Sequence, residues 1–244
     1  METMLIQLLL NKRWSLDDAV AAGMVLIDSV IKQEGEYIEN VAPQDTKVTD
    51  METELVMSSI ARRNPMFSLF RYITAAIISL IESRKGVPGV GKMAAATEDF
   101  VKFFRIYFAT GKIYLRTMDA WVEPKKLFEV QWPRRDTPDL IRARQLLASH
   151  IRRKALLEAP DIEFGYHLFV ASYSIIKFYA KASAAINDRV NLIPDDIRKG
   201  VQIVEYNLLL HRSFQGQPLE KTFVKSIFRK FLFHSSFTSS MVGF

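Results

Sequence analysis

FGYHLFVASYSIIKFYAKASAAI, residues 164 to 186, is apolar along almost its whole length. Only Lys177 and Lys181 carry a formal charge, four residues apart and so on one face of a helix. A helix of this composition has no polar side to offer water and is expected to be buried on nearly every side. The next segment, NLIPDDIRKGVQIVEYNLLLH (191–211), has a legible helix start. Pro194 suits the first turn, and Asp195 and Asp196 favour the positive end of the helix dipole. An apolar helix followed by an amphipathic one organises the C-terminal half. It sets the expectation for the whole chain: an all-α, compact multi-helix domain, orthogonal or bundle-like.

Working outward, the pattern stays helical. Residues 2–11 read as a short helix ended by Asn11-Lys12-Arg13. Ser15 is a good N-cap for the next, with Asp18 at the third helical position, Trp14 placed to staple onto Ala19, and Val20, Met24, Ile27 and Ile31 on one stripe to about Gln33. Gly35 to Asp50 is polar and contains Pro43, which makes a loop. Helices are expected from Met51 to about Arg63 and from Met66 to Arg84, broken by Asn64-Pro65, with a Gly- and Pro-rich loop over 85–92. Ala94 to Met118 reads as one long or two short helices rich in aromatics. Trp121 to Pro138 holds three prolines and is expected to be irregular. A single helical domain over 1–244 with a lobe boundary near 121–138 is the resulting reading. Asp139 to Glu158 is a basic helix, and 218–233 a basic amphipathic one with Pro218 at its start. Strand alternation and fixed-period repeats are lacking.

The 17 Phe, 8 Tyr and 3 Trp among 244 residues point to a core dominated by aromatic packing. There is no cysteine, which excludes disulfides, thiolate metal sites and cysteine nucleophiles. The four histidines are scattered and form no metal-ligand pair, so neither a metal nor another cofactor is expected. The chain shows no signal peptide, and 164–186 is too interrupted for a membrane span, so cytoplasmic placement is expected. Residues 1–60 hold 4 basic and 11 acidic side chains, whereas 61–244 hold 29 and 16. The net +6 therefore conceals an acidic start and a basic remainder.

Three motifs require weighing. Gly86-Val87-Pro88-Gly89-Val90-Gly91-Lys92 matches the spacing of a phosphate-binding loop. However, Met93 replaces the magnesium-binding hydroxyl, and the preceding segment reads as helix, so the loop is read as a helix connection. Asp17-Asp18 and Asp195-Asp196 are paired carboxylates that helix capping accounts for. Arg142, Arg144, Arg152, Arg153 and Lys154 are the heart of the densest basic stretch, and Lys221, Lys225 and Arg229 line one side of the 218–233 helix. These eight are the candidate surface for an anionic partner. At 100° per residue the first five spread around their helix, which suits a phosphate backbone poorly.

IQLLLNKRWSLDDAVAAGMVLID near the start, and YHLFVASYSIIKFYAKASA followed by DDIRKGVQIVEYNLLLHRSF near the end, together resemble the C-terminal, cysteine-free half of the flagellin lysine-N-methylase family. The resemblance covers roughly 4–34 and 146–214 and consists of hydrophobic patterns more than sharp motifs. It implies a helical domain that kept a binding role. The family's N-terminal cysteine cluster, which holds its metal centre, has no counterpart, so no catalytic residue carries over. The reading is an accessory domain that binds another protein and performs no methyl transfer of its own. Its rivals are a stand-alone enzyme with an unrecognised site and a basic protein that binds nucleic acid or, through 218–233, a membrane surface.

Overall fold

The computed structural model describes residues 2–32, 50–57, 67–83, 89–133, 137–152 and 162–206. Among them the chain is mostly helical: α1 (Glu2–Leu10), α2 (Leu16–Lys32), α3 (50–57), α4 (Phe67–Ile81), α5 (Lys92–Phe108), α6 (Pro124–Glu129), α7 (Pro138–Arg152), α8 (Ile162–Ile186) and α9 (Pro194–Val204). The all-α expectation holds. Also described is an antiparallel hairpin of β1 (Ile113–Leu115) and β2 (Ala120–Val122), with Tyr114 opposite Trp121. The chain divides into two compact units, each assembled from separated stretches. Unit one comprises 1–65, 134–173 and 212–244, and unit two comprises 66–133 and 174–211. The expected loop over 35–49, the distal half of the 51–63 helix, the 218–233 helix and the C-terminal tail lie outside the described residues.

In unit one, α1 packs on both α2 and α7. Ser15 caps α2 as expected: its hydroxyl accepts the Asp18 N–H at 3.1 Å and donates to the Asp18 carboxylate at 2.5 Å. The expected single stripe understates the burial of α2. Val20, Met24 and Ile27 are fully buried, and so are Ala19, Ala21 and Ala22, which lie on its other sides. The Ile31 side chain is outside the described set. Small residues let neighbours close in from several directions. At Gly23 the approach is closest, because an added Cβ would stand 1.8 Å from the Tyr166 hydroxyl oxygen. That hydroxyl donates to the Val20 carbonyl at 2.9 Å.

Unit two is built on α4 and α5. The C-terminal end of α4 carries Glu82, fully buried, whose carboxylate accepts the Tyr179 hydroxyl at 2.6 Å and the Thr117 N–H at 3.2 Å. Burial first, and then the Glu82 carboxylate, push the Tyr179 hydroxyl well above its ordinary pKa, so it stays a donor. Lys102 and Arg116 donate to the Glu82 and Ile81 carbonyls at 2.9 and 3.1 Å, which places cations on the negative end of α4. From Ser174 onward α8 belongs to this unit, and α9 lies against it so closely that a Cβ at Gly200 would meet the Ile176 carbonyl oxygen at 2.5 Å.

Two sequence expectations on 94–138 are corrected. Helix α5 stops at Phe108, not near Met118, because Ala109 turns left-handed (φ 54°) and the Thr110 N–H donates back to the Arg105 carbonyl at 3.0 Å. The hairpin follows, with Ile113, Leu115 and Val122 inward and Trp121 outward. Three-residue strands are too short for alternation to be read from sequence. The segment expected to be irregular also contains α6, started by Pro124.

Candidate interaction surface

Helix α5 faces the opposite way from what its composition suggests. Against the body of unit two it turns Ala95, Lys102 and Ile106, all buried. The lysine reaches a backbone carbonyl there, as described above. Outward it turns Met93 (83 % exposed), Phe100 (62 %), Phe104 (37 %), Phe108 (57 %) and Val101 (40 %). These positions lie within about 100° of one another around the axis and extend about 22 Å along it. Thr97 lies among them, with its hydroxyl committed to the Met93 carbonyl at 3.0 Å. No acidic side chain falls inside the stripe.

The rings order one another. Phe100 and Phe104 have centroids 4.5 Å apart, and Phe104 and Phe108 stack at 5.7 Å. Phe103 and Tyr107 stack at 6.0 Å with their planes 3° apart, and Tyr107 meets Phe108 edge-on at 4.8 Å. A partner meeting this face finds the rings of Phe100, Phe104 and Phe108 in contact with one another. Turn geometry sets the ends of the helix. Gly89 supplies a positive φ of 82° ahead of it, and Gly91 is its extended N-cap. The second half of the phosphate-loop motif thus initiates α5, and the element before the motif is the helix α4.

The sequence pattern did not reveal this face. Five aromatics on a helix read as core, and Lys102 on the far side reads as solvent-exposed. The buried Lys102 ammonium donates to the Glu82 carbonyl, 20 residues upstream.

The candidate anionic-partner residues fare unevenly. Arg142 is exposed on α7. Arg144 is 1 % exposed, and its guanidinium donates to the Leu9 carbonyl at 2.7 Å and to that of Trp14, finishing the end of α1. It is therefore withdrawn from that surface: the two arginines are two positions apart on a helix and point to different sides. The Arg152 side chain, Arg153, Lys154, Lys221, Lys225 and Arg229 lie outside the described residues. Lys177 and Lys181 on α8 are also buried, and the Lys177 ammonium stands 5.2 Å over the Trp132 ring.

Comparison with family models, with curated proteins and with solved structures finds no match to this chain.

Other polar clusters serve the fold. Asp17 accepts the Tyr173 hydroxyl, while Asp195 and Asp196 pair with Arg198 and Arg189 at 2.8 and 2.7 Å. The hairpin's outward face balances itself, with Lys112 and Glu123 paired at 3.4 Å beside Trp121 and Tyr114. Among the described residues no group of three or more His, Asp or Glu is arranged to hold a metal ion, and no helix is long and apolar enough to cross a membrane.

Proposed function

We propose that this chain is a helical protein-binding module that acts as an accessory domain, with no methyl-transfer chemistry of its own. The observation that carries the reading is the exposed stripe of mutually contacting aromatic rings on α5. Contiguous apolar surface of this kind on a folded domain marks an interaction site, and aromatic anchors dominate binding energy in such sites. A helix that presents anchors at i, i+4 and i+8 suits an apolar groove or another helix. The resemblance to the cysteine-free half of the flagellin lysine-N-methylases supports the accessory role and names a first partner to try, flagellin.

The test is a binding titration of purified flagellin monomer against the full chain, beside the Phe100→Asp/Phe104→Asp variant. Binding by the wild type, its loss in the variant at unchanged helicity, and no methylated lysine by mass spectrometry are expected. Methylation by the chain alone would overturn the accessory reading. Equal binding by the variant would remove α5 as the interface.

A further inference from the structure

We infer that the α5 stripe is a homodimer seam, closed by α5 of a second copy running antiparallel across a twofold axis. The inference rests on the reading of α5 as an interaction face and names its occupant while no other protein partner is bound.

The outward residues of α5 are spaced to meet another helix. Ala94, Val101 and Phe108 recur every seven residues, and Thr97 and Phe104 fall between them at steps of three and four. All are outward-facing apolar or small positions, and the pattern is that of a helix seam that interlocks with another helix. A flat or irregular partner does not need this spacing.

Charges beside the seam favour the antiparallel crossing. Glu98 and Arg105 are also seven residues apart, and they border the seam on the same side. When two identical helices cross antiparallel, like flanks face each other. Placing Val101 of one copy against Phe104 of the other sets Glu98 against the second copy's Arg105, and symmetry repeats the pair. The opposite flank brings Phe100 against the second copy's Tyr107, again twice. A parallel crossing would set these charges against Phe100 and Met93 instead. Arg105 is exposed, with one N–H on the Lys112 carbonyl at 2.6 Å, and the Glu98 side chain is 36 % exposed with Lys102 at 3.8 Å. Both charges stand at the rim, where they set orientation more than affinity.

The exposed area suits a small dimer interface. The five exposed apolar side chains offer on the order of 500 Å² per copy. Two copies therefore bury roughly 1,000 Å², the lower bound for a specific interface. The dimer is accordingly weak and concentration-dependent.

The experiment is sedimentation equilibrium of the full chain over a wide concentration range. The wild type is expected to pass from monomer to dimer. Phe100→Asp/Phe104→Asp should remain monomeric with unchanged circular dichroism. Glu98→Arg should weaken dimerisation by about tenfold or more, because it sets arginine against arginine, and Glu98→Arg/Arg105→Glu should restore it. A wild type that stays monomeric at every concentration overturns the proposal, as does a dimer indifferent to the charge reversal and its compensation. Binding of the dye ANS separates this failure from that of the underlying reading. A monomeric wild type that binds ANS through Phe100 and Phe104 keeps the interaction face and loses only the second copy. If ANS binding is the same in the double-Asp variant, the face itself is lost.

Discussion

At Gly23 a hydrogen atom stands where any other side chain would meet the Tyr166 hydroxyl oxygen at 1.8 Å. Gly23→Ala must therefore move Tyr166 and break its hydrogen bond to the Val20 carbonyl inside a fully buried contact. A loss of about 2–4 kcal/mol in urea denaturation is expected from overpacking and the orphaned Tyr166 hydroxyl together. In a Tyr166→Phe background, which removes the clashing oxygen, the same substitution should cost less. Asp196 carries a pH-dependent contribution. Burial tends to raise its carboxyl pKa, but the Arg189 guanidinium and the Ile193 N–H outweigh that and hold it below the ordinary value. The pair is therefore fully stabilising above the unfolded carboxylate range near pH 4, and is lost as pH falls through the lower folded-state value. Asp196→Asn is expected to cost about 2 kcal/mol at neutral pH and to flatten the acid limb of stability against pH. An unchanged acid limb would assign that sensitivity to other carboxylates.

The elements show which parts of the fold were legible in the chain. Helix α8 is 25 residues long, and every side chain from Phe169 to Ala185 is buried, as its lack of a polar face required. Ile175→Ala or Ile176→Ala should each cost about 2–5 kcal/mol by chemical denaturation, since both are 1 % exposed. A cost below about 1 kcal/mol at both would mean that the helix is less tightly enclosed than its burial indicates. The starts of α2 and α9 were equally legible, because Ser15 and Pro194 act locally. The orientation of α5 was not. Composition shows that a helix has an apolar side, but which side meets the core depends on residues far along the chain, here the carbonyl that receives Lys102. Arg144 was misplaced for the same reason, its partners Leu9 and Trp14 lying well over a hundred residues upstream. The turn that starts α5 offers a further test. With a helix before it and Met93 in place of a magnesium ligand, no saturable ATP or GTP binding is expected in the presence of magnesium. Micromolar binding abolished by Lys92→Ala would reverse that expectation.

For the whole molecule, net charge and surface chemistry point in different directions. An excess of +6 invites polyanions, yet one of the densest basic stretch's arginines is internal and the described apolar face is uncharged. Each phosphate contact adds about −0.9 to the log–log salt slope, so a few scattered contacts give weak binding that disappears at physiological salt. Fluorescence anisotropy with a labelled DNA duplex across salt concentrations is expected to show this. Submicromolar binding that survives physiological salt would put nucleic acid ahead of protein as the partner.

The interleaved chain paths of the two units have a consequence for synthesis on the ribosome. Helix α4 emerges early, but its unit is not complete until residues through 211 have been made, and unit one draws on stretches both before and after it. Neither unit can close behind the ribosome as an autonomous N-terminal domain. At elongation rates of about 5–20 residues per second, the apolar surface of α4 waits on the order of ten seconds for the last parts of its unit. During that interval the nascent chain is a natural client for a holding chaperone. Cutting the gene at a point inside residues 66–211 would leave both halves without a finished core.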